Sequence, residues 1–310
     1  MTAKEIIGHK DITLRLQQAI ATRHVASAYL FAGPDGVGKK LVALQLAQGL
    51  NCQQDAIDGK PCQLCGSCRK IKQDQHPDVR LIGREEDAVS IKIEQVKKMQ
   101  AEIMLRPNEG RVKVYIIEDA HTLTADAANC LLKTLEEPPL DSVLVLVTSN
   151  PEALLPTIRS RCQRINFPAL SVPELAEHLC ATASLDRSQA EFIAEFAGGS
   201  IGLAVEYAAS GIMEKKQELQ DYISTLPRQS LDEVLTAAGK YARDKEEAKL
   251  ILDLLLFACR GRYLEGLRRR QPEIDQADLL DLILEAKRNV FRNINMRLTL
   301  ETIFLRIKNA

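Results

Sequence analysis

Residues 33–40 read Gly-Pro-Asp-Gly-Val-Gly-Lys-Lys, between an apolar run, Ala28 to Ala32, and a helix-like stretch. The pattern G-x-x-x-x-G-K-[ST] between a strand and a helix cradles phosphate. Gly33, Gly36 and Gly38 permit the turn and a close backbone approach, while successive N–H groups and the helix N-terminus face the anion. Lys39 stands where it could pair with a phosphate. Lys40, however, occupies the position of the Ser or Thr hydroxyl that holds Mg²⁺. An ammonium repels Mg²⁺, and phosphoryl transfer depends on that metal. The spacing therefore points to a loop of nucleotide-site origin that is not expected to hydrolyse ATP with Mg²⁺. A plain strand-to-helix connector is the alternative.

A second half-site follows the apolar run Val114 to Ile117, where Glu118 and Asp119 form an acidic pair. ATP sites of this type place Asp before Glu; here the order is reversed. The shorter Asp119 falls back from where a Glu carboxylate would activate water, and misplacement near ~1 Å already matters for catalysis. A solvated or capping pair at a strand end is the plainer reading. Arg161, in Thr-Ile-Arg-Ser-Arg-Cys162, lies just before another strand-like run. It is either a surface arginine or one supplied in trans to a neighbour's ATP.

Cys52, Cys62, Cys65 and Cys68 form C-x9-C-x2-C-x2-C. Two-residue spacings let thiolates converge on one tetrahedral centre, and four thiolates without an open position make a structural zinc rather than a catalytic one. An iron–sulfur cluster and free thiols are the alternatives. Cysteines 130, 162, 180 and 259 are dispersed in apolar contexts and read as packing residues.

The elements that must position these groups alternate. Strand patterns at 28–32, 79–82, 112–117, 143–148 and 163–167 are separated by helical ones, near 39–50, 93–103 and 125–137 among them, which predicts a parallel sheet covered on both faces. Beyond Pro168 only helical periodicity remains, with Pro173 at a helix start and Gly198-Gly199-Ser200 as a break. With 310 residues the chain can hold two or three cores. At 45% hydrophobic, 27% charged and net charge −1, it is an ordinary globular protein without a global drive toward nucleic acid or membrane. The absence of a membrane-length apolar run and of a signal-like start reads as cytoplasmic, so the 8 cysteines are not expected to form disulfides. Basic stretches at Arg260, Arg262, Arg268 to Arg270, Lys287, Arg288 and Arg292 read as solvated helix faces rather than a DNA surface.

Taken in order, Gly33 to Lys39, the cysteine module, Val114 to His121, Asn129 to Pro139 and Ser160-Arg-Cys162 closely resemble the bacterial clamp-loader subunits of the AAA+ class. The resemblance extends to Asn295 to Glu301, near the end of the chain. Within that family the altered loop is similar to the delta-prime type of DNA polymerase III rather than the ATP-hydrolysing gamma/tau type, which is the alternative. The resemblance implies an AAA+ α/β domain with a four-cysteine zinc module (52–68) at 1–166, a small helical lid at 167–211 and an all-α collar at 212–310. It implies that Arg161 is an arginine finger for a neighbouring gamma/tau ATP, that Ser149 holds the sensor-one position, and that the four cysteines bind structural zinc. The lid pattern Gly-Ser-x-Arg appears here as Gly199-Ser200-Ile201-Gly202, a third lost nucleotide-handling group. The implied role is a rigid, non-hydrolysing stator. It would assemble with delta and gamma/tau as a hetero-pentamer that loads the sliding clamp on primed DNA, with no enzymatic activity alone.

Overall fold

The computed structural model describes residues 6–54, 57–85, 88–268, 274–289 and 295–309, so Arg269, Arg270 and Arg292 of the basic stretches lie outside the described residues. Five strands, β1 (Ala28–Ala32), β2 (Val79–Ile82), β3 (Lys113–Ile117), β4 (Ser142–Thr148) and β5 (Gln163–Asn166), form one sheet in the order β2-β3-β4-β1-β5. Every pairing is parallel. The central strands β1, β3 and β4 are buried along their whole length, as expected of a sheet covered on both faces.

The two-residue period of β4 divides the core. Leu144 and Leu146 join Val96, Met99 and Ile103 of α4 (Ile93–Ile103) and Leu131 of α5 (Ala125–Glu136) on one face. Val143, Val145 and Val147 join Leu16 of α1 (Lys10–Ala21) and Val42 and Leu46 of α2 (Lys39–Asn51) on the other. Apolar positions at i, i+3 and i+7 on α4 account for its buried stripe.

Register sets where the chemistry gathers. Ala32 pairs with Thr148, and Ile117 with Leu146. The loop after β1, the acids after β3 and the residues after β4 therefore emerge along one edge, the carboxyl ends of the strands, where open α/β sheets bind ligands.

The chain divides into two compact units, Met1–Ala208 and Ala209–Ala310. The first also holds α3 (Gly66–Lys72), α6 (Pro156–Arg161), α7 (Val172–Ala183) and α8 (Arg187–Phe196), and α9 (Ile201–Ala209) ends at the divide. Capping boxes start α7 at Ser171 with Glu174 and α8 at Asp186 with Gln189. The second unit is helical: α10 (Ile212–Thr225), α11 (Leu231–Tyr241), α12 (Lys245–Arg268), α13 (Ile274–Asn289) and α14 (Met296–Lys308). Tyr222, Tyr241 and Phe304 meet edge to face at its centre, and Lys308 donates to the carbonyls of Leu226, Pro227 and Gln229. Lys287 of the second basic stretch is paired with Asp253. No described helix is long and apolar enough to cross a membrane.

Candidate functional site

The glycine loop leads into α2 with Gly38 as its N-cap. Lys39 folds back instead of reaching outward. Its Nζ donates to the carbonyls of Gly33 at 2.6 Å and Pro34 at 2.5 Å, and it is only 5% exposed. Burial pushes its ammonium below the ordinary lysine range, against the opposing pull of Asp35 and Asp119.

Lys40 takes the opposite direction, its Nζ lying 2.6 Å from Glu118 Oε1. The residue at the last position of the glycine-loop pattern is thus paired with the first of the two acids that follow β3. Asp119 has a left-handed backbone (φ 46°) at the start of a short turn, and its carboxylate pairs with Arg84 at 3.2 Å. Both acids are matched to cations of this chain.

The segment beginning α9 lies directly on the loop. The amide of Gly202 donates to the carbonyl of Gly36 at 2.9 Å. A Cβ on Gly36 would come to 2.1 Å from Ser200 Oγ, and one on Gly202 to 3.3 Å from Gly36 Cα. Two glycines meet there because backbone touches backbone. His9 adds a third contact, its Nε2 lying 2.9 Å from the carbonyl of Val37.

Ser149 sits half-buried just past β4. The neighbouring Thr148 is the buried polar group at that strand end, hydrogen-bonded to His121 Nδ1 and to the amide of Asn150, both at 3.1 Å. The family resemblance points to Ser149; Thr148 is buried like every other residue of β4, which is covered on both faces. Arg161 ends α6. Its guanidinium donates to the carbonyl of Thr157 at 3.1 Å and pairs with Glu136 at 2.8 Å.

The four cysteines do come together. Cys52 caps the C-terminus of α2 and Cys65 the N-terminus of α3, and the four sulfurs lie within 4.8 Å of one another, close enough to hold one metal ion. Backbone amides support them in series: Cys62 N–H points at Cys52 Sγ, Cys65 N–H at Cys62 Sγ, and Cys68 N–H at Cys65 Sγ, at 3.3–3.4 Å. Burial raises the Cys65 thiol, but the amides of Cys68 and Gln53 and the adjacent thiols outweigh it and bring it down to about 6. Burial drives the Cys68 thiol up.

Two buried networks, which spacing did not reveal, tie this module to the sheet. Asn51 accepts from the amides of Arg111 and Val112 and donates to the carbonyl of Val112. His76 Nδ1 accepts from the amide of Asp78, so its proton is on Nε2, 3.0 Å from the Oγ of Ser67, which lies between Cys65 and Cys68 in sequence. Asp78 in turn accepts from the amides of Asn108, Glu109 and Gly110, all at 2.8 Å. Burial alone would raise the Asp78 carboxyl; the three amides hold it below its ordinary range. Its contribution is therefore complete above pH ~4 and is lost as pH falls through its lowered folded value. Asp78→Asn puts an amide group against backbone donors and is expected to cost about 2–3 kcal/mol at pH 7. Urea unfolding checks this, and the deficit should shrink toward pH 3.

A sequence profile of the family described as DNA polymerase III, delta subunit, matches residues 8–171. The chain is 28% identical to DNA polymerase III subunit delta' of Bacillus subtilis, over 95% of this chain and 94% of that protein. It is 37% identical to DNA polymerase III subunit tau of Escherichia coli over 57% of this chain, a region that is only 27% of that protein's length. Among solved structures, a DNA polymerase III gamma subunit-related protein from Thermotoga maritima superposes with a TM-score of 0.50 at 17% identity, covering 95% of this chain and 98% of that one, which supports the fold. The AAA+ arrangement of sheet, glycine loop and following helices and the profile match agree: the chain belongs to the DNA polymerase III delta-subunit family of clamp-loader proteins.

Proposed function

We propose that this chain is the delta-prime-type subunit of a DNA polymerase III clamp loader, a cytoplasmic, non-hydrolysing stator that assembles with delta and gamma/tau. The observation that carries this reading is the 2.6 Å pair between Lys40 and Glu118. Hydrolysis needs a divalent cation between the loop and an acid free to hold it. Here a side chain supplies that positive charge, Lys39 is spent on loop carbonyls, and Gly202 carries no side chain toward a nucleotide. Similarity to a delta' protein along 95% of the chain points the same way.

In this role the chain contributes shape and one chemical group. Arg161 would act as an arginine finger on the ATP of an adjacent gamma/tau subunit, and motion of gamma/tau against the rigid chain would expose delta, which opens the sliding clamp on primed DNA. Zinc is the metal that suits the cysteine cluster: four soft thiolates, no open position, and amide donors fixing the sulfurs. Its contribution when bound would be structural, joining the end of α2 to α3.

The purified chain should show no Mg²⁺-dependent ATP turnover above background, and Lys39→Ala should change nothing. Turnover that Lys39→Ala abolishes would instead establish an ATP-hydrolysing gamma/tau-like subunit.

A further inference from the structure

We infer that Glu136 is the positioning residue for Arg161, an inference that rests on the arginine-finger reading above. Glu136 is the last residue of α5, where the helix carries its partial negative charge. A carboxylate there gains nothing from its own helix, but it faces a cation supplied by the neighbouring one. α5 and α6 pack together, and Glu136 Oε1 lies 2.8 Å from Arg161 Nη2 while the carbonyl of Thr157 takes Nη1 at 3.1 Å.

The two contacts fix the guanidinium plane from two sides. One N–H of the guanidinium is donated to the Thr157 carbonyl and one terminal nitrogen faces the Glu136 carboxylate, so of its five N–H donors others remain for a phosphate. Magnitude decides whether the contact positions the group or holds it back. Arg161 is 36% exposed and Glu136 51%. An exposed pair of this kind is worth at most about 1 kcal/mol. That is too little to withhold an arginine from a triphosphate, yet enough to bias the rotamers of a long, flexible side chain before the phosphate arrives.

The test uses the full chain reconstituted with delta and gamma/tau and reads single-turnover ATP hydrolysis. Glu136→Ala should lower the rate constant about 5-fold, the equivalent of 1 kcal/mol, with unchanged apparent ATP affinity and unchanged subunit assembly. Glu136→Asp should recover part of the loss. On an Arg161→Ala background, Glu136→Ala should have no further effect, which a merely structural role would not produce. A faster rate in Glu136→Ala, an unchanged rate, or an additive loss on the Arg161→Ala background would each overturn the inference. If Arg161→Ala itself leaves hydrolysis unchanged, the finger reading fails first. Should Glu136→Ala assemble poorly, Glu136→Gln keeps the shape and removes the charge, and the same rate comparison applies.

Discussion

Arg161→Ala in the reconstituted loader is expected to slow hydrolysis by about 10³-fold at the one nucleotide site it faces, the lower end of what arginine fingers supply. The expectation rests on position and on what the residue does not do at home. Arg161 ends α6 at the surface, where among the described residues it meets the Thr157 carbonyl and a half-exposed Glu136. Losing those contacts costs the fold at most about 1 kcal/mol, so circular dichroism, thermal unfolding and co-purification with delta and gamma/tau should match the parent protein. Arg161→Lys should recover little, because a single ammonium cannot reproduce a planar fork against phosphate oxygens. Pre-steady-state hydrolysis resolves one slow site from its faster companions. Parent-like rates at every site would remove Arg161 from the mechanism.

Cys65→Ser should lower the stability of the first unit by about 4 kcal/mol or more, the range in which lost metal sites fall. Cys65 caps α3, and its sulfur accepts from the amide of Cys68, a donor that favours the thiolate a metal would need. A serine hydroxyl supplies neither the charge nor the soft sulfur that zinc prefers. The effect should spread from the module through Asn51 and Ser67, which join it to loop 105–112 and to His76. Elemental analysis should find one zinc in the parent and markedly less in Cys65→Ser, and a strong chelator should bring the parent's unfolding midpoint down to that of the variant. Freshly prepared parent protein without metal, or a variant of equal stability, would contradict the assignment.

The groups that were legible in sequence share one property: each is local. Glycine spacing, an apolar run followed by two acids, and cysteines at two-residue spacings all specify geometry over a few bonds; in the structure the loop and the acids lie at the carboxyl ends of β1 and β3, and the four sulfurs lie within 4.8 Å of one another. The partners of those groups were not legible, since each comes from a different strand or helix. Lys40 meets Glu118 only because β1 and β3 both flank β4 in register. Gly202 looks like a missing arginine until its amide is found on Gly36. Glu136 reads as one more acid in Leu-Glu-Glu-Pro until α6 brings Arg161 beside it. Asp78, within His-Pro-Asp, gives no sign in sequence that it collects three amides from thirty residues further on.

A bound metal ion has a dissociation constant; Lys40 has none. Its ammonium is attached to the backbone of α2, so a positive charge remains within reach of Glu118 at any free Mg²⁺ concentration, even as the half-exposed pair itself opens and closes. Under the proposed function, the local concentration of that cation is set by a covalent tether rather than by the cell's metabolites.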